Sequence, residues 1–72
     1  MKTMEEELNR ILKVKPKDGE PRQLYLARFV TTSQTVPEET WNKLSPPAQR
    51  WCNAAARAFE AKEDIVDFDK EE

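Results

Sequence analysis

Ser33, Ser45 and Cys52 could each attack an electrophile if a neighbouring base took the proton. The chain has no histidine, which removes the commonest base for that step. Ser45 precedes Pro46-Pro47 and has a plainer use as a helix cap. Paired acids occur at Glu38-Glu39 and Glu63-Asp64, but side-by-side carboxylates in a helix first turn or a tail are ordinary. No catalytic residue is expected, and no small-molecule substrate.

Metal chemistry fares no better. One cysteine and no histidine exclude Cys/His zinc sites. Asp67, Asp69 and Glu71 alternate as calcium ligands could, yet the spacing lacks the glycine and distal glutamate of an EF-hand loop. No metal and no cofactor is expected. A lone cysteine cannot form an intrachain disulfide and suits a reducing compartment. Cys52 reads as a small buried apolar filler.

Binding chemistry remains. On a helical wheel Gln49, Asn53, Arg57 and Glu60 share one face, with Arg50 beside them. Gln, Asn and Arg are types that read base edges; they are also the ordinary surface of a soluble helix. Lys13, Lys15, Lys17 and Arg22 form a basic strip around the first loop, with Lys43 further along. Such a strip could meet phosphates or an acidic protein surface.

The whole chain carries −2, but residues 9–57 hold nine basic and four acidic side chains, a net +5 between acidic ends. That falls short of the basic balance of a dedicated DNA binder. Trp41 and Trp51 could stack bases, but a domain this small needs its large residues inside.

These residues must be positioned by helices. Seventy-two residues make one domain, burying about 60% of its unfolded surface. One glycine and five prolines cut the chain into helical pieces. Met4, Leu8, Ile11 and Leu12 form one stripe, and Thr3 with Glu6 has the capping-box form; a helix over 4–14 follows. Lys15 to Glu20 breaks it.

A second helix over 21–32 would begin at Pro21. It would bury Leu26, Phe29 and Val30 with Tyr25 beside them, ending in the polar run from Thr31. Thr35 to Glu38 has a second capping-box form, opening a short helix over 36–44 that buries Trp41 and Leu44. Ser45-Pro46-Pro47 opens a fourth helix over 46–62. Its core face would hold Ala48, Trp51, Cys52, Ala55, Ala58 and Phe59. Alanines at 54, 55, 56 and 58 would let another backbone approach closely. Ile65, Val66 and Phe68 read as an extended tail folded back on the helices, with 69–72 disordered.

The fold expected is all-α: a compact bundle of three to four short helices with an extended acidic C-terminal tail. No stretch approaches the ~18 apolar residues of a membrane span. The acidic start, Met1 to Glu7, has no apolar run behind it and does not read as a signal peptide. A cytoplasmic protein is expected.

The segment Trp41-Asn42-Lys43-Leu44-Ser45, Ala48-Gln49-Arg50-Trp51-Cys52-Asn53-Ala54-Ala55, Ala58 and Ile65-Val66-Asp67-Phe68 resembles a short helical module of small proteins from phages and their bacterial hosts. The resemblance spans residues 41–68. It implies a context, phage or mobile-element biology beside nucleic-acid machinery, and host cytoplasm if phage-encoded. It assigns no functional residue.

Two expectations follow. The first is a protein–protein module, an adaptor or inhibitor on transcription or replication machinery. It would use the basic strip, with Tyr25 or Phe29 if either is exposed. The second is DNA or RNA binding through a helix-turn-helix-like pair. There the helix from Pro46 would read with Gln49, Arg50, Asn53 and Arg57 while Lys43 and the strip grip backbone. A homodimer or virion component is a third possibility.

Overall fold

A computed structural model describes residues 3–68. Four helices run in order: α1 (Met4–Leu12), α2 (Arg22–Thr35), α3 (Glu38–Trp41) and α4 (Pro46–Glu60). There is no strand among the described residues. The all-α bundle is as the sequence implies; the stretch 69–72, expected to be disordered, lies outside the described residues.

α1 starts where Thr3 and Glu6 cap one another: the Glu6 amide donates to Thr3 Oγ1 and the Thr3 amide donates to Glu6 Oε1, both at 3.2 Å. Three glutamates in the first turn suit the positive end of the dipole. The helix stops at Leu12 rather than 14 because Lys13 turns left-handed, φ 59°. Val14 is still buried, held by Asn9 Nδ2 donating to its carbonyl at 2.6 Å.

α2 passes the expected end at Thr32 and runs to Thr35. The hydroxyls of Thr31, Ser33 and Thr35 donate to carbonyls one turn earlier, so the polar run satisfies itself inside the helix. Thr35 therefore caps nothing, and Pro37 opens α3 without a side-chain cap. α3 is a single turn, tightened through Leu44 by three-residue bonds from Lys43 and Leu44 to the carbonyls of Thr40 and Trp41.

Ser45 occupies the cap position of α4, but its hydroxyl does not cap that helix. Its amide and hydroxyl instead donate to the Glu7 carboxylate at 2.7 and 2.9 Å. A side chain of α1 thus places negative charge at the start of α4, where the dipole welcomes it. α4 ends at Glu60 rather than 62. Lys62 adopts φ 60°, the Glu63 amide donates to the Ala58 carbonyl, and the Lys62 amide to Phe59. This is a Schellman turn with lysine in the glycine position.

The turn sends residues 63–68 back over α2 and α4. The core gathers Leu8, Leu12 and Val14; Tyr25, Leu26, Phe29 and Val30; Leu44; Ala48, Trp51, Cys52 and Ala55; and Ile65 and Phe68. Phe29 is its hub. Its ring meets Tyr25, Trp51 and Phe68 edge-on at 5.0, 5.9 and 5.3 Å between centroids, the geometry that aromatic quadrupoles prefer. No helix among the described residues is long and apolar enough to cross a membrane.

Candidate functional site

The C-terminal strap is fixed by polar pairs at successive residues. Gln23 bonds both backbone groups of Ile65: its Nε2 donates to the carbonyl at 3.0 Å and its Oε1 accepts from the amide at 2.7 Å. Trp51 Nε1 donates to the Val66 carbonyl at 2.8 Å. Arg22 forks onto Asp67, with Nε and Nη2 at 2.6 and 2.7 Å from the two carboxylate oxygens. The guanidinium also lies over the Tyr25 and Phe68 rings. Asp67 raises the guanidinium pKa above its usual value.

That pairing removes Arg22 from the basic strip as a free charge. Arg22 also lies 3.6 Å from Glu5. Lys13, Lys15 and Lys17 are exposed in the α1–α2 connection. Beneath them Arg28 forks onto Glu20, both nitrogens at 2.9 Å, and donates to the Lys15 carbonyl. The Arg28 hydrogen bond lowers the Glu20 pKa.

On α4, Arg50, Asn53 and Arg57 are exposed at helical spacing on one stripe. Gln49 is half-buried and spends its Nε2 on the Trp41 carbonyl at 2.9 Å. Lys43 is exposed in the turn after α3. The reader stripe and the lysines thus lie on different elements. The helix before the reader is only four residues long, shorter than a helix-turn-helix pair employs.

Tyr25 and Phe29 are both buried, so neither serves a contact surface. The Tyr25 hydroxyl donates to Glu5 at 2.8 Å and accepts from Asn9 at 2.9 Å. Burial raises its pKa. Burial also pushes the Cys52 thiol up to about 11, leaving almost no nucleophilic thiolate at neutral pH. Trp51 is core; Trp41 is half-buried. Trp41 lines a cavity of about 360 Å³ with Ser33, Val36, Cys52 and Asn53.

Sequence reasoning missed the most distinctive surface. Phe59, placed on the core face by the wheel, is 47% exposed, and Leu24 is 58% exposed. Both line a groove of about 470 Å³ between the start of α2 and the end of α4, floored by Ala27 and Ile65. Glu60, Glu63 and Asp64 rim it, with Lys62 the one cation lining it among the described residues. None of these three carboxylates enters an ion pair among the described residues. The available signal was Leu24 itself, an apolar residue next to the Tyr25-Leu26 inner face but off it. No cluster of metal-ligating side chains occurs among the described residues.

No family model, no curated protein and no solved structure matches this chain.

Proposed function

We propose that the chain is a non-catalytic binding module, acting in the cytoplasm, whose partner is another protein. The observation that carries this reading is the pair of large apolar side chains, Leu24 and Phe59, exposed on facing helices over one groove. Among the described residues the other large apolar side chain left exposed is Val66, which stands alone, and seven large side chains are under 2% exposed. A contiguous exposed apolar patch with a polar rim is how interaction sites present themselves. The non-catalytic part rests on chemistry: Ser33 and Ser45 spend their hydroxyls on Val30 and Glu7, and the Cys52 thiol is buried. Placing the partner in phage transcription or replication machinery rests solely on the resemblance of residues 41–68.

Nucleic-acid binding through Arg50, Asn53 and Arg57, with Lys43 and the strip, is the second reading, favoured by their shared exposure. One experiment separates the two. A benzophenone side chain is placed at position 59 or position 57, and the protein is irradiated in its native cells. A protein adduct from 59 that Leu24→Ser abolishes is expected. A nucleic-acid adduct from 57, with none from 59, would replace the first reading by the second.

A further inference from the structure

The groove between Leu24 and Phe59 also constrains the chemistry of what fills it, and the inference below rests on the protein-binding reading just proposed. We infer that its occupant is a basic amphipathic helix, whose apolar stripe seats on Leu24, Ala27 and Phe59 and whose lysines or arginines face Glu60, Glu63 and Asp64.

Two observations carry this. The first concerns backbone groups. The walls are helices α2 and α4 rather than strand edges; the Ala58 and Phe59 carbonyls at the end of α4 are taken by the Glu63 and Lys62 amides, and the strap's Ile65 amide and carbonyl are both taken by Gln23. An extended peptide would find no strand edge there to pair with along its length and would bury unsatisfied amides. A helix brings its own backbone bonds and needs only side-chain contact, the helix-in-groove mode.

The second is charge. Three carboxylates against one ammonium give the rim a net −2, and those carboxylates have no ion-pair partner among the described residues. By contrast Arg22, Arg28, Glu20 and Asp67 are mutually neutralised. Three unpaired carboxylates therefore sit beside the exposed apolar surface, where they select a positive partner and repel a negative one. A nucleic acid is disfavoured at this face for the same reason.

The test uses a synthetic helical peptide with leucines along one stripe and lysines flanking it. Two relatives carry glutamine or glutamate in place of lysine. Each is titrated into the full chain and followed by amide chemical shifts. The lysine peptide should shift Leu24, Ala27, Phe59 and Ile65. It should bind about tenfold more tightly than the glutamine peptide, the glutamate peptide should be weaker still, and added salt should narrow the gap. The triple variant E60Q/E63Q/D64N should erase the preference, and Phe59→Ser, at an exposed position, should abolish groove binding.

Equal affinity for the lysine and glutamine peptides would overturn the basic partner while leaving the groove as a docking site. Shifts confined to Arg50 and Arg57, or groove shifts on concentrating the protein alone, would overturn the inference outright. Failure of every peptide to move the groove would also overturn it; the cross-link from position 59 then decides independently whether the protein-binding reading survives.

Discussion

The strap has two edges, and they are built in opposite ways. Its inner edge, Ile65 and Phe68, is buried, with the Phe68 ring against Tyr25, Phe29 and Trp51. Every backbone group it turns toward α2 and α4 at Ile65, and the Val66 carbonyl, meets a side-chain partner. The outer edge, with Glu63, Asp64 and Val66, is exposed, and one side of it borders the Leu24–Phe59 groove. The same two helices supply both walls. What separates a sealed interface from an open one here is polar matching. Trp51 and Arg22 answer Val66 and Asp67 on one side and Gln23 holds Ile65 at the floor of the groove, whereas the rest of the groove offers apolar surface and unneutralised carboxylates.

The contrast is broken most severely from the sealed side. Phe68→Ala empties the space between Phe29 and Trp51, 5.3 and 4.4 Å from its ring. It should cost about 3–5 kcal/mol, much of a small domain's stability, seen as a collapse of the urea midpoint. Alkali attacks the same interior. Cys52 holds its proton to about 11 in the fold instead of 9.0. Its contribution is complete below about pH 9 and is lost as pH rises through about 11, about 2–3 kcal/mol in all. Urea melts at stepped pH should show that decline, with Cys52→Ala flattening it.

Removing the two-point amide pairing is milder. Gln23→Ala strands the Ile65 amide and carbonyl and should cost about 1–2 kcal/mol, with faster hydrogen exchange at Ile65 than at Phe29. Lys62→Gly works in the other direction. Relieving a left-handed lysine at the turn that launches the strap should stabilise by about 0.5–1 kcal/mol, raising the melting temperature. On the open side, Leu24→Ser and Phe59→Ser should each change stability by about 0.5 kcal/mol or less, readable by the same urea melts. A large loss there would mean that the groove is core after all.

The helical stripes were legible in the sequence because burial on a helix repeats with its turn. Leu8 with Leu12, Leu26 with Val30, and Trp51 with Ala55 all follow that rule. Phe59 shows where the rule fails. A wheel records angle and not position along the axis. Phe59 has the angle of Cys52 but sits in the last turn of α4, where the facing partner is Leu24 near the start of α2.

Long-range polar pairing was equally invisible. Nothing near Arg22 in the sequence announces Asp67, 45 residues away, and nothing near Ser45 announces Glu7. The sequence therefore shows the candidate site only as a charge pattern. Lys13, Lys15, Lys17, Lys43, Arg50, Asn53 and Arg57 do stand on the surface, but Arg22 is committed and Gln49 is half-committed.

The buried sulfur at Cys52 also makes the protein a stopwatch for its own breathing. It is the only thiol in the chain and is 1% exposed. An alkylating reagent needs an accessible thiolate, so it can react only during the moments when α4 parts from its neighbours. When closing outruns alkylation, the labelling rate divided by that of an unfolded thiol equals the fraction of time spent open. A mass spectrometer counting one added group per molecule would follow that fraction without any engineered probe, and a bound partner that tightens the bundle would register as a slower clock.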